Sequence, residues 1–309
     1  MVVFSLLPYG SRISAQDQDK SFIIETGKSL MPLAEGWIKQ YGKINHGISI
    51  GLVETIDGEA SAEIRLFEHF HDEIAGLSAN EKIINVGQVT ILPVINENNP
   101  HFSRELRRGV GHARINDIFF NEEIDWLSDD EKSDEPEYEV YTPMPRSPAA
   151  KAFANFFGKL PDDLKGIYVS GEDTHLLSAL LRDPAGIGYS KLSLIYDPLT
   201  REPVEGIRIL PVDLNDNGRL DNNELIYDNL DHVIKYTGQT GEPSLPAIQI
   251  SFATRKNSGP LIENFIAWVK NEGQNVNVQL GFNRNGEALP EDEPTISMQQ
   301  LFDAETDIN

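Results

Sequence analysis

The chain has 309 residues, with 49 acidic and 26 basic side chains and a formal net charge of −23. No Lys/Arg stripe offsets that charge, which excludes a phosphodiester-binding surface and nucleic acid as a partner. The lack of cysteine excludes disulfides, thiolate catalysis and zinc–thiolate centres, and no run of 18 apolar residues is present to span a bilayer.

Residues 2–8 are mostly apolar, and Ser14-Ala15-Gln16 then precedes a polar segment. This reads residues 1–20 as a signal-peptide remnant or a disordered tail, and it points to an exported, periplasmic or extracellular protein. Residues 21–25 predict a strand. Leu30, Leu33, Ala34, Trp37, Ile38 and Tyr41 recur at spacings of three and four, which predicts a helix over 30–41 with Ser29 at its N-cap. Residues 48–53 predict a strand, 60–70 a helix and 86–95 a long apolar strand.

A further helix is expected within 101–127, which contains Ile115-Asn116-Asp117-Ile118-Phe119, followed by an acidic loop over 129–139. A strand at 140–142 leads to a helix over 149–157, opened by Ser147 and Pro148. Segments 167–170, 174–181, 187–195 and 207–212 continue the alternation. A helix over 224–236, a strand over 247–253 and a helix over 261–270 complete it. This alternation predicts an α/β fold with mostly parallel sheets.

The strongest local motif lies at 213–224. It matches the twelve-residue EF-hand loop, in which oxygen ligands recur at fixed positions around a turn that needs Gly at position 6. Here the ligands are Asp213, Asn215, Asn217, the Arg219 carbonyl, Asp221 and the bidentate Glu224, with Gly218 at the turn and Leu220 as the apolar plug. A strand-like segment precedes the loop, and no second loop pairs with it. A sensor needs a paired, moving helix–loop–helix, so one structural Ca²⁺ acting as a clamp is expected.

Three stretches resemble the phosphate-type solute-binding proteins of bacterial ABC importers, in the type II periplasmic-binding-protein superfamily. The first is Gly27-Lys28-Ser29-Leu30-Met31-Pro32-Leu33-Ala34-Glu35-Gly36-Trp37. The second runs over 177–189, ending in Pro184-Ala185-Gly186-Ile187-Gly188-Tyr189. The third runs over 265–282 and carries Glu272-Gly273-Gln274 and Leu280-Gly281-Phe282. Ile115 to Phe119 and Trp126 fit the same pattern.

The resemblance implies a two-lobed fold of mixed, mostly parallel sheets flanked by helices, with two crossover strands as a hinge. Lobe I would comprise 21–97 and 252–309, and lobe II 98–251, with crossovers near Val94 and Phe252. It implies capture of a small oxyanion, phosphate foremost, by domain closure, and delivery to a membrane permease by a monomer that does not itself enter the bilayer. Lys28, Ser29, Leu30, Ser78, Arg146 and Ser147 are the implied ligand contacts.

An oxyanion is held by backbone N–H groups at helix starts and by hydroxyls, so a negative net charge does not forbid it. The sequence departs from the family where Ser147-Pro148-Ala149-Ala150 replaces a Gly/Ser/Thr-rich turn, and where Glu54, Asp57 and Glu59 place carboxylates after the second strand. Those departures support an alternative: a calcium-stabilised extracellular interaction or scaffold protein that keeps the fold and has lost phosphate binding.

No enzyme is expected. The nucleophile elbow, the phosphate loop and the His-Glu-x-x-His helix are all missing from the sequence. Glu68-His69-Phe70-His71-Asp72 has the composition of a metal cluster, but two histidines two apart share a face only on a strand, and this segment reads as a helix end.

Overall fold

The computed structural model describes residues 21–55, 62–70, 78–102, 109–120, 138–238 and 245–285. The N-terminal segment, Asp57, Gly58, Glu59, His71, Trp126, the acidic loop up to residue 137 and residues 286–309 lie outside them.

The first sheet runs β2 (Ser49–Glu54), β1 (Ser21–Thr26), β3 (Ile64–His69), β9 (Ala247–Arg255), β4 (Glu81–Asn96). The second continues from β4 through β7 (Gly186–Lys191) and β5 (Glu139–Pro143) to β6 (Ile167–Val169), with β8 (Ile207–Ile209) also on β4. Pairing is parallel for β1–β2, β1–β3, β5–β6 and β5–β7. It is antiparallel wherever β4 or β9 takes part.

β4 is the shared strand. Its first part pairs with β9 as far as Thr90, and from Ile91 it pairs with β7. The hand-over therefore falls at Thr90–Ile91, just ahead of Val94. A bulge at Asn85/Gly87 bends the strand before that point. Phe252 stands inside the first sheet, opposite Leu66 and Ile84.

Each sheet has its own aromatic core. Helices α1 (Met31–Ile44), α7 (Pro260–Lys270) and α8 (Gln274–Gln279) cover the first. Phe22 and Tyr41 meet Phe265, and Trp37 meets Phe252 edge-on. α1 approaches α8 closely because position 36 has no side chain: a Cβ there would lie 2.6 Å from Val276 Cγ1. In the second half, α2 (His112–Phe119) and α3 (Pro148–Phe156) bring Phe119 and Phe153 onto Tyr189, whose ring stacks on Phe153 at 3.8 Å. α4 (Asp173–Arg182) covers β5 and β7. The short α5 (Leu192–Ile195) and α6 (Leu230–Gly238) follow.

Three expectations are corrected. The segment expected as a helix over 60–70 is strand β3 where it is described: Ile64 and Leu66 alternate inward, and both edges pair, with β1 and β9. Ser29 does not cap α1. A 3-10 turn over Lys28–Leu30 comes first, Leu30 takes the N-cap position, and no side chain caps it. The helix expected from 224 begins at Leu230, because Asn222–Glu224 forms a separate 3-10 turn that closes the acidic loop.

Candidate functional site: the cleft at the strand ends

In open α/β sheets, ligands bind beyond the carboxyl ends of the strands. Six strands here deliver polar residues at or just past those ends. β1 leads to Lys28, β2 ends at Glu54, and β3 carries Glu68 next to its last residue. β5 leads to Ser147, β6 to Glu172 and Asp173, and β7 ends at Lys191. The first three belong to one sheet and the last three to the other, so the site lies between them.

Ion pairs cross that gap. Lys28 Nζ lies 2.5 Å from Glu172 Oε1 and 3.8 Å from Glu54 Oε1. Lys191 Nζ lies 2.5 Å from both Glu68 Oε2 and Asp173 Oδ2, and its side chain is only 4% exposed. The hydrogen bond to Glu172 raises the Lys28 pKa, and the same bond lowers that of Glu172. Burial acts to lower the Lys191 pKa, but Glu68 and Asp173 outweigh it and leave the ammonium above its usual value.

Beside Lys191 is a pocket of about 70 Å³, lined among others by Ser147, Glu172, Asp173, Tyr189 and Ser190. The heads of α3 and α4 border it. Ser147 caps α3: its Oγ accepts from Ala150 N at 3.1 Å. Asp173 sits in the first turn of α4, where its charge complements the helix dipole. Among the described residues, the buried Tyr189 hydroxyl has no hydrogen-bond partner. Burial pushes its pKa well up, so it stays a neutral donor at ordinary pH.

The expected contacts divide. Lys28 and Ser147 reach the cleft. Ser29 is half-buried and caps nothing, while Leu30 places its side chain in the core and its N–H on Gly27 O. Arg146 is exposed beside Ser147. Ser78 lies just before β4, whose first residue pairs with Arg255, at the opposite end of the first sheet from the cleft. Its N–H donates to Glu81 Oε2. Sequence reasoning missed Glu68, Glu172, Asp173 and Lys191 as site residues. The usable signal was their position at strand ends.

The loop over 213–224 closes on itself. Asp213 accepts from the backbone N–H groups of Asn217 and Gly218 at 3.2 and 2.7 Å. Glu224 accepts from Leu214, Asn215 and Asp221. Asp221 Oδ2 holds the amides of Asn215 and Asn217, and Arg219 Nε lies 3.2 Å from Asp221 Oδ1. Gly218 adopts φ +86°, the left-handed turn that position 6 requires. The donor set is all oxygen, which suits a hard cation. Among the described residues, no three acidic or imidazole side chains converge as a metal cluster.

No protein-family model matches the chain, and no curated protein matches it. Solved structures do. A Clostridium perfringens chain, assigned as a phosphate ABC transporter substrate-binding protein and solved with bound phosphate, is 15% identical with a TM-score of 0.56. The alignment covers 86% of this chain and 99% of that one. An ABC-type phosphate transport receptor from Vibrio cholerae is 11% identical, with a TM-score of 0.51 over 85% of this chain and 100% of that one. A Corynebacterium glutamicum OxyR mutant is 9% identical, with a TM-score of 0.52 over 84% of this chain and 66% of that one. Among the described residues, no helix is long and apolar enough to cross a membrane. The chain therefore shares the mixed α/β fold of the two phosphate-transport structures, a fold that the OxyR chain also shows.

Proposed function

We propose that this chain is an extracytoplasmic solute-binding protein that captures a small oxyanion, phosphate foremost, by closure of the cleft and presents it to the permease of an ABC importer. One observation carries the reading: polar residues at the ends of strands from both sheets meet at the heads of α3 and α4, around a pocket that Ser147, Ser190 and Lys191 line. Helix-end N–H groups, Ser147 and two lysines are the chemistry an oxyanion requires. Likeness to two phosphate-transport structures supports the same ligand class.

A second reading has its own support. Lys28 and Lys191 each already hold two carboxylates, so the cleft's cations are spent. That favours a scaffold that keeps the fold without the anion.

Thermal-shift titration with phosphate and sulfate at fixed calcium separates the two. The transport reading expects stabilisation by an oxyanion that Arg146→Ala weakens. Silence across the panel overturns it in favour of the scaffold.

We also propose that residues 213–224 hold one structural Ca²⁺ through Asp213, Asn215, Asn217, the Arg219 carbonyl, Asp221 and Glu224. The motif spacing and the Gly218 turn support this.

A further inference from the structure

The four ion pairs differ in topology. Lys28–Glu54 and Lys191–Asp173 each join residues of the same half. Lys28–Glu172 and Lys191–Glu68 join opposite halves, and they do so reciprocally: each half supplies one lysine and one glutamate. The Lys191 bridge is buried, with side chains 4% and 12% exposed, so solvent and salt screen it little. The Lys28 bridge lies at the more open side, with side chains 54% and 45% exposed. One bridge thus anchors the interior of the cleft and the other its rim.

We propose that Glu68 and Glu172 form a resident latch, each binding the lysine of the opposite half, so that the cleft closes with no solute bound. The latch rests on the reading above only in using the same cleft. A glutamate carboxylate takes the place at each lysine that an incoming oxyanion would occupy. Solute and latch therefore compete for the same cations, and the latch sets how much of the binding energy is spent on displacing it. Glu54 and Asp173 stay with their lysines whether the cleft is open or closed, so they add charge without adding closure.

Two double variants of the full chain test this by small-angle X-ray scattering with no added anion. Glu68→Gln with Glu172→Gln removes both bridges. Glu54→Gln with Asp173→Asn removes the same amount of charge and leaves both bridges in place. The latch predicts a compact wild type, a compact Glu54/Asp173 variant and an expanded Glu68/Glu172 variant. The expansion would be on the order of 1 Å, against a radius of gyration near ~19 Å for a compact chain of this length. Far-ultraviolet circular dichroism confirms that each variant is folded, and the single variants Glu68→Gln and Glu172→Gln give intermediate radii if one double variant fails.

Equal radii for the two double variants, or a wild type that contracts on adding phosphate, overturn the latch. The oxyanion reading fails separately, if the wild type responds to neither phosphate nor sulfate in the thermal-shift assay.

Discussion

The indole N–H of Trp37 lies 3.0 Å from Asn277 Oδ1 and 3.1 Å from the Gly273 carbonyl, joining α1 to the last helix turn of the described chain. Asn277 in turn donates to Val86 O on β4 at 2.9 Å. All three residues, Trp37, Asn277 and Val86, are fully buried. Trp37→Phe keeps much of the ring but removes the only donor of that side chain, stranding the buried Asn277 Oδ1 while the Gly273 carbonyl keeps the Val276 N–H. The expected cost is about 1–3 kcal/mol, read as a lower urea midpoint with an unchanged slope.

Lys191 carries the cleft's interior bridge, and its removal leaves Glu68 and Asp173 without their cation. Lys191→Met is expected to destabilise by about 3–5 kcal/mol, because uncompensated buried charge costs more than the pair contributes. Adding Glu68→Gln and Asp173→Asn to that variant restores most of the loss. Chemical denaturation of the single and triple variants checks it, and no recovery in the triple variant contradicts the account.

The rim bridge makes a pH-dependent contribution of definite sign. The Glu172 pKa is lowered from 4.5, by its bond to Lys28 first and by the nearby charge of His175 last, so its contribution is present above that value and fades as pH falls through the lowered one. The Lys28 pKa is raised from 10.5, by Glu172 first and with help from Glu54, so its contribution is present below that value and fades as pH rises past the raised one. The difference in melting temperature between wild type and Glu172→Gln is therefore small but steady from about pH 5 to about pH 10, and it shrinks outside that window and in high salt. A difference that grows under acid contradicts this.

Calcium is expected to raise the melting temperature without changing the molecular dimensions. Binding at a hundredfold excess over the dissociation constant adds about 2.7 kcal/mol. Asp213→Asn and Glu224→Gln each reduce the rise. Equal melting in chelator and in excess calcium removes the metal from the account.

The alternation of apolar periods made most elements legible in the sequence. α1, α7 and β4 were marked by long, unambiguous patterns. β3 was not, because its six residues mix charged and apolar side chains in a way that fits either period, and only pairing with β1 and β9 decides it. The late start of α6 was hidden because Glu224 belongs to the preceding loop. Ser147 was legible as a cap beside a proline, a purely local signal. The latch was not: Lys28 and Glu172 stand 144 residues apart, and Glu68 and Lys191 123. No local pattern records a partner at that distance; it follows only once the strand order is known.

The two sheets close at different moments of synthesis. β5, β6, β7 and the helices between them lie within residues 139–195, and β4 precedes them. The first sheet needs β9, and its Trp37 contact needs Asn277. On the ribosome, the second sheet is complete once β8 has emerged, while the first still lacks an inner strand and two of its three covering helices, α7 and α8. The N-terminal strands must therefore wait, partly unpaired, for the C-terminal ones to emerge. Truncation before β9 is expected to expose the apolar faces of β1 and β3 to aggregation while sparing the second sheet.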